Sequence, residues 1–275
     1  MESTTYDDSR VKVNVLLQAH FSRHRLPQEL QSDQREILVK VPRLVQALVD
    51  VISSNGWLKP ALAAMEFSQM ITQALWDRDS SLLQIPHFTK DIVSRCDAAD
   101  EEIDTAFDIM ALEDEARDGL LRLPPAKMAD VARFCNGFPN IDVEFELEDA
   151  DDIETGDAVT MVVQLEREHD DEEPGAGNTH NAVYAPSFPR PKVEGWWLVM
   201  GDMATNTLVS IKRVNIRQKA TVRLTFAAPD TAGDYNYSVF FMCDSYMGCD
   251  QELECAFSVK QGEEGDSDDD DEDDQ

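Results

Sequence analysis

The sequence is short of positive charge. Lysine and arginine together number 24 against 55 aspartates and glutamates, a formal net charge of −31. A chain this acidic repels phosphate backbones, so weak or absent RNA binding is expected of it in isolation at physiological salt. It also lacks the signatures of phosphate transfer and hydrolysis. No G-x-x-x-x-G-K-[ST], G-x-G-x-x-G, G-x-S-x-G or H-E-x-x-H occurs, and no catalytic, metal-binding or cofactor-binding residue is assigned. No run approaches the roughly 20 apolar residues that a membrane-spanning helix needs. The first residues, MESTTYDDSR, are polar and acidic, unlike a secretory or transit leader, so no membrane association is expected.

What is present is a globular chain of 275 residues with an apolar fraction of 42%, enough for one large or two ordinary domains. Its hydrophobic period changes near residue 140. Before that point apolar residues recur at helical spacing. REILVKVPRLVQALVDVI (35–52) places Ile37, Val41, Leu44, Leu48 and Val51 on one stripe and Leu38, Val45, Val49 and Ile52 on the next, which predicts a helix buried on most sides. Pro42 is expected to start or kink its regular part. Asn55-Gly56 reads as a turn, and ALAAMEFSQMITQALW (61–76) as a second helix with an alanine-rich start that admits a close neighbour. Three short helices follow between 100 and 139, the last opened by Pro124-Pro125 and ended by Asn136-Gly137.

After Pro139 the period is two. IDVEFELED alternates strictly, and AVTMVVQLERE, GWWLVMGD, NTLVSIKRV, KATVRLTFAAP, YNYSVFFMC and LECAFSVK continue as six more strands. Seven strands separated by turn signals predict an immunoglobulin-like, fibronectin-III-like sandwich. The expected organisation is therefore α+β and multidomain: a helical bundle (1–96), a helix-loop-helix (97–139), an all-β sandwich (140–260) and an acidic tail (261–275) expected to be disordered. A Pro-, Gly- and acid-rich stretch, 169–191, reads as a long surface loop between the second and third strands.

Few side chains invite a functional reading. DEEP at Asp171 sits in that loop with no phosphate-binding partner motif and reads as a solvated acidic run. His20 and His24 have metal-ligand spacing but no third ligand nearby, and a polar helix surface is the simpler reading. The scarce basic residues are more informative. Lys212, Arg213, Arg217, Lys219 and Arg223 gather within two successive strands. They mark a docking surface for an acidic partner, a contact for the folded-back tail, or the mixed-charge solvent face of a sheet. Trp196 and Trp197 point to opposite faces of one strand. One belongs in the core; the other, a candidate partner-docking residue, is expected to be covered by the helical part of the same chain. Ser267 lies in an acidic context that suits a kinase.

Four blocks taken in order carry a resemblance. SSNGWLKPALAAMEFSQMITQALW, MADVARFCNGFPNI, EGWWLVMGD with LVSIKR, and FFMCDSYMGCDQE resemble the Sec-63 homology unit found behind the motor of Ski2-like, DExH-type nucleic-acid helicases. The likeness runs from Val11 to Val259 and is strongest to the large two-cassette spliceosomal members, which unwind paired small nuclear RNAs. The resemblance implies a bundle beneath a motor and a sandwich that braces it and binds partner proteins. It implies a nuclear location, the motor domains and other spliceosomal proteins as partners, and ATP and Mg used by the larger helicase rather than by this chain. The acidic tail suggests the end of the second cassette, a protein-docking and regulatory module, and the bundle is expected to be partial because the motor and its upstream helices are missing. No ATPase motif matches, so a non-catalytic scaffold is expected. The alternative is a standalone acidic adaptor or chaperone-like binding protein outside any helicase.

FMCDSYMGCDQELEC (241–255) spaces Cys243, Cys249 and Cys255 evenly. A zinc site lacks a fourth ligand and no histidine is near. A disulfide does not suit a nuclear or cytosolic chain. Buried free thiols are expected, with Cys249, beside Gly248 in a hairpin, the most exposed.

Overall fold

The computed structural model describes residues 8–168 and 181–262; the acidic run at Asp171, Ser267 and nearly all of the acidic tail lie outside them. Three helices come first: α1 (Ser9–Phe21), α2 (Gln28–Ser54) and α3 (Leu58–Gln73). Asp8 caps α1 by accepting from the Arg10 N–H. Phe21 of α1, Leu38, Val41 and Val45 of α2 and Ile71 of α3 close a small core, with Phe67 and Trp76 packed against it. Pro42 lies inside a continuous α2 and neither starts nor ends it.

The expectation that α2 is buried on most sides is not met. Leu38, Val41, Val45 and Val49 are buried, whereas Leu44, Leu48 and Val51 are 65%, 46% and 59% exposed. They recur at i, i+4 and i+7, one edge of the helix. The physical reason is that α1, α3 and the outer sheet cover only one side of α2, and no other described element reaches Leu44, Leu48 and Val51.

Four shorter helices follow: α4 (Lys90–Asp97), α5 (Ala106–Ala111), α6 (Asp114–Leu121) and α7 (Pro125–Gly137). Thr89 caps α4, and Thr105 with Asp108 forms a capping box on α5. Arg95 donates to the carbonyls of Leu120 and Leu121, which ties α4 to the end of α6. These helices do not have a core of their own. Their apolar residues, from Leu82 through Phe138, run continuously into the interior of the strands that follow.

Seven strands then build two antiparallel sheets: β1 (Ile141–Leu147), β2 (Ala158–Arg167), β3 (Trp196–Asp202), β4 (Thr207–Val214), β5 (Lys219–Ala227), β6 (Gly233–Cys243) and β7 (Gln251–Val259). One sheet has the order β1-β2-β5 and the other β4-β3-β6-β7. That division is a fibronectin-III-like sandwich. Trp196 of β3 lies stacked on Phe241 at 4.4 Å in the middle of the core. The Tyr235 hydroxyl donates to the Thr231 carbonyl, 2.8 Å, the corner lock typical of such sandwiches.

The second tryptophan decides how the helices sit. Trp197, on the outer face of β3, packs with Val199, Leu208, Phe240 and Met242 against Val49, Leu58, Ala61, Ala64 and Met65 of the helices. Burying side chains of this size stabilises by roughly 1.5–3 kcal/mol each. The alanines let both α2 and the sheet come close. Gly201 does the same from the strand side, because a Cβ there would stand 2.6 Å from Leu58 Cδ2 and 2.8 Å from the Thr207 carbonyl oxygen. Gly201→Ala is therefore expected to destabilise the fold by roughly 1–3 kcal/mol, since the backbone oxygen cannot step aside; a urea denaturation midpoint equal to that of the parent chain would contradict this packing.

Candidate functional site

The most elaborate polar construction in the described residues is the seam between α3 and the loop joining β6 to β7. The loop, 244–250, breaks the ladder after Cys243 and leaves carbonyls with no strand partner. Buried carbonyls need donors, and α3 supplies them. Ser68 donates its hydroxyl to the Asp244 carbonyl at 2.9 Å. Gln69 donates to the Cys243 carbonyl at 2.9 Å and to Asp250 Oδ2 at 2.7 Å. Gln73 donates to the Ser245 carbonyl at 2.8 Å. Gln84, on the short 3-10 turn Ser81–Gln84, both donates to the Met247 carbonyl (2.7 Å) and accepts from its N–H (3.1 Å). All of these polar side chains are buried.

A second seam lies at the other end of α3. Trp57, the N-cap residue, offers no side-chain cap. Asn206, in the β3–β4 turn at a left-handed φ of 59°, accepts from the Lys59 N–H at 2.8 Å and so caps the helix from the sandwich. Leu208 N–H donates to the Gly56 carbonyl at 2.8 Å. The N-terminal end of α3 is thus completed by the β domain, whereas its C-terminal carbonyls are taken by His20 of α1, on Ile71, and by Arg23 just after it, on Gln73.

Charge is concentrated beside the first seam. The Asp244 carboxylate accepts from Lys192 Nζ at 2.6 Å and from the Gly195 N–H at 3.1 Å, and also meets the Ser245 hydroxyl and the Arg213 guanidinium. Burial pushes this carboxyl up, but the Lys192 and Arg213 charges with the Lys192 and Ser245 hydrogen bonds outweigh it and hold it below its ordinary value. Arg213 also lies over the Trp197 ring, 4.0 Å from the centroid. Deeper still, Arg167 pairs with Glu194, which accepts from the Trp196 indole N–H at 3.3 Å. Such a pair fixes geometry more than it adds stability.

These placements sort the candidate residues. Trp196 and Trp197 are both buried, so neither offers surface to a partner; the cover over Trp197 comes from the helices of the same chain, as expected. Arg213 is committed to Asp244 and Trp197 and is only a third exposed. The other four basic residues stay at the surface. Lys212 on β4 reaches the Arg223 carbonyl of β5 at 3.2 Å, so the two strand edges face each other on one side of the sandwich. Lys219 pairs with Glu166 at 2.6 Å and Arg223 with Glu148 at 2.8 Å, exposed ion pairs of little energetic weight. Arg217 lies exposed in the connection between them. His20 is buried and donates to the Ile71 carbonyl at 2.8 Å, with its pKa lowered chiefly by burial, while His24 is exposed; the two do not share a site.

The cysteines are all buried free thiols. Cys249, expected to be the most exposed, is only 4% exposed, because the hairpin is covered by the 3-10 turn and the Gln84 side chain. Burial raises its thiol well above the ordinary value, and that of Cys255 to about 11, which leaves both protonated and inert. The site residues that the periodicity did not single out are Ser68, Gln69, Thr72 and Gln73. Their signal was present: SQMITQ puts four polar residues at i, i+1, i+4 and i+5 on one side of a mostly apolar helix whose charged residues are Lys59 and Glu66.

The chain is thus a helical unit welded to a fibronectin-type sandwich through its β6–β7 loop. The chain belongs to the Sec63 Brl domain family, whose profile matches residues 1–256. It is 52% identical over 263 residues to the U5 small nuclear ribonucleoprotein 200 kDa helicase of Mus musculus and of Homo sapiens, covering 96% of this chain and 12% of each relative. The protein of the same description from Drosophila melanogaster is 53% identical over 258 residues, 94% of this chain and 11% of the relative. The DExH-box ATP-dependent RNA helicase DExH12 of Arabidopsis thaliana is 49% identical over 267 residues, with 96% and 12% covered. The chain thus spans about 12% of the length of these curated relatives.

Asp250 makes the seam sensitive to pH. Burial raises its carboxyl from 3.8 to about 6, against the lowering effect of the Gln69 and Cys243 hydrogen bonds. A folded-state pKa above the unfolded one gives a contribution that is full below about 3.8 and is lost as pH rises through about 6. The difference in unfolding free energy between the parent chain and Asp250→Asn is therefore expected to shift against the parent chain between pH 4.5 and 7. A difference that stays constant across that range would refute the assignment.

Proposed function

We propose that this chain is a non-catalytic scaffold and protein-interaction module of a spliceosomal ATP-dependent RNA helicase, acting in the nucleus in pre-mRNA splicing. The observation that carries the reading is the welded seam. Ser68, Gln69 and Gln73 on the inner face of α3, with Gln84 beside them, are spent on holding the β6–β7 loop, so the helices and strands are held as one body. A body of this kind transmits position between the proteins that bind its faces. Two outer faces are available for that. The apolar stripe of Leu44, Leu48 and Val51 on α2 suits cover by the motor and upstream helices of the larger helicase, which also supplies the ATP and Mg chemistry. The β4–β5 edge with Lys212, Arg217, Lys219 and Arg223 suits an acidic spliceosomal protein.

Similarity to the U5 and DExH helicases over nearly the whole chain supports the helicase context. The net charge of −31 supports protein rather than RNA as the partner in isolation. The test is quantitative capture from nuclear extract by the immobilised chain, parent against the triple variant Lys212→Ser, Arg217→Ser, Lys219→Ser. At least one splicing protein is expected to fall severalfold on the variant. An unchanged set of captured proteins would remove the β4–β5 edge as a docking surface, and RNA-stimulated ATP hydrolysis by the purified chain would overturn the non-catalytic reading.

A further inference from the structure

A cavity of about 510 Å³ opens between α7, the turn at Pro86-His87 and the segment 182–184, on a part of the surface that neither the α2 stripe nor the β4–β5 edge includes. Its walls are aromatic. Phe134 and Tyr246 are buried, and Tyr184 is 42% exposed; Phe134 meets both rings edge-on, at 5.7 Å from Tyr184 and 6.0 Å from Tyr246. Tyr246 holds the segment in place by accepting the Tyr184 N–H on its hydroxyl at 2.7 Å. Fixed rings around an opening of this volume suit one bulky apolar side chain, because little conformational entropy is lost when it enters.

The rim carries charge of a kind unusual in this molecule. The charged or titratable groups lining the cavity besides the tyrosines are His87, Asp130 and Arg133. Asp130 is already engaged on both oxygens, by His87 Nε2 at 2.7 Å and by Arg133 NH1 at 2.9 Å. Arg133 is 76% exposed, and only NH1 among its guanidinium nitrogens is used, so it keeps donors directed to solvent. His87 is fixed at a left-handed φ of 67°, a conformation uncommon for a residue with a side chain. Lys127 adds a further positive charge on the same helix. The charged side chains of α7 are Lys127, Asp130 and Arg133, so the helix is net positive in a chain of charge −31.

We propose that this cavity is a docking site for a linear peptide segment of a partner protein, in which an aromatic or bulky aliphatic anchor is flanked by carboxylates. The anchor fills the space between Phe134, Tyr184 and Tyr246. A flanking carboxylate takes the unused donors of Arg133 in a bidentate pair, the geometry a guanidinium favours. Charge complementarity selects the acidic flank, since the one rim carboxylate is already satisfied and would not bind a basic segment. The site is distinct from the β4–β5 edge, so the failure of either leaves the other standing.

The test is selection of random twelve-residue peptides displayed on phage against the immobilised full chain, followed by fluorescence-anisotropy titration of the best synthetic peptide. Enriched peptides are expected to share an anchor beside Asp or Glu. Their affinity should fall at least tenfold on Arg133→Glu and on Tyr184→Ala, two surface changes whose folding is checked by thermal melting, and should be regained in part on Arg133→Lys. Basic consensus peptides, affinity unchanged on both variants, or no enrichment would overturn the proposal. So would a labelled oligouridylate probe that binds the parent chain and loses binding on Arg133→Glu, which would assign the rim to nucleic acid instead.

Discussion

Three hydrogen-bonding side chains on one face of α3 and Gln84 beside it hold the β6–β7 loop, and much else in the molecule follows from that contact. The loop cannot satisfy its own carbonyls, because β6 ends at Cys243 and β7 begins at Gln251. Left without donors, buried carbonyls cost about 1–3 kcal/mol each. Ser68, Gln69, Gln73 and Gln84 remove that penalty, and only when α3 lies across the outer sheet. The helix in turn has no N-cap of its own and takes one from Asn206. Neither part completes its hydrogen bonding alone.

The apolar contacts agree with the polar ones. Trp197 would leave a large aromatic surface in water on the outer face of β3 if α3 were absent, and Gly201 leaves the room that Leu58 of α3 fills. Arg213 closes the edge of this arrangement, stacking on Trp197 while neutralising the buried Asp244. A charge that looked available for docking is thus part of the internal brace. Lys212, Arg217, Lys219 and Arg223, bound only by exposed pairs or by none among the described residues, keep the freedom to meet a partner.

The sandwich was legible in the sequence because a period of two with one buried face is a strong, local signal. All seven strands lie within a few residues of where alternation places them, and the α3 helix follows from its apolar period. Three things were not legible, for one reason: they depend on which element lies opposite. The exposure of Leu44, Leu48 and Val51 depends on how far α1 and α3 reach around α2. The burial of Cys249 depends on a 3-10 turn 165 residues upstream folding over its hairpin. The role of SQMITQ depends on unsatisfied carbonyls more than 170 residues away. The FMCDSYMGCDQE block that carried the family resemblance turns out to be the loop that α3 grips, so the same residues serve as family signature and structural clamp.

The helical unit and the sandwich are expected to open as one cooperative body, and native-state hydrogen exchange measures that directly. The slowest amides of α3 and of β6 and β7 are expected to exchange through one common opening, and Gln69→Ala should lower both by the same amount. If α3 exchanges at a clearly lower free energy than β6 and β7, or if Gln69→Ala loosens the helix and leaves the strands unchanged, the two parts are separate units and the seam is not what joins them.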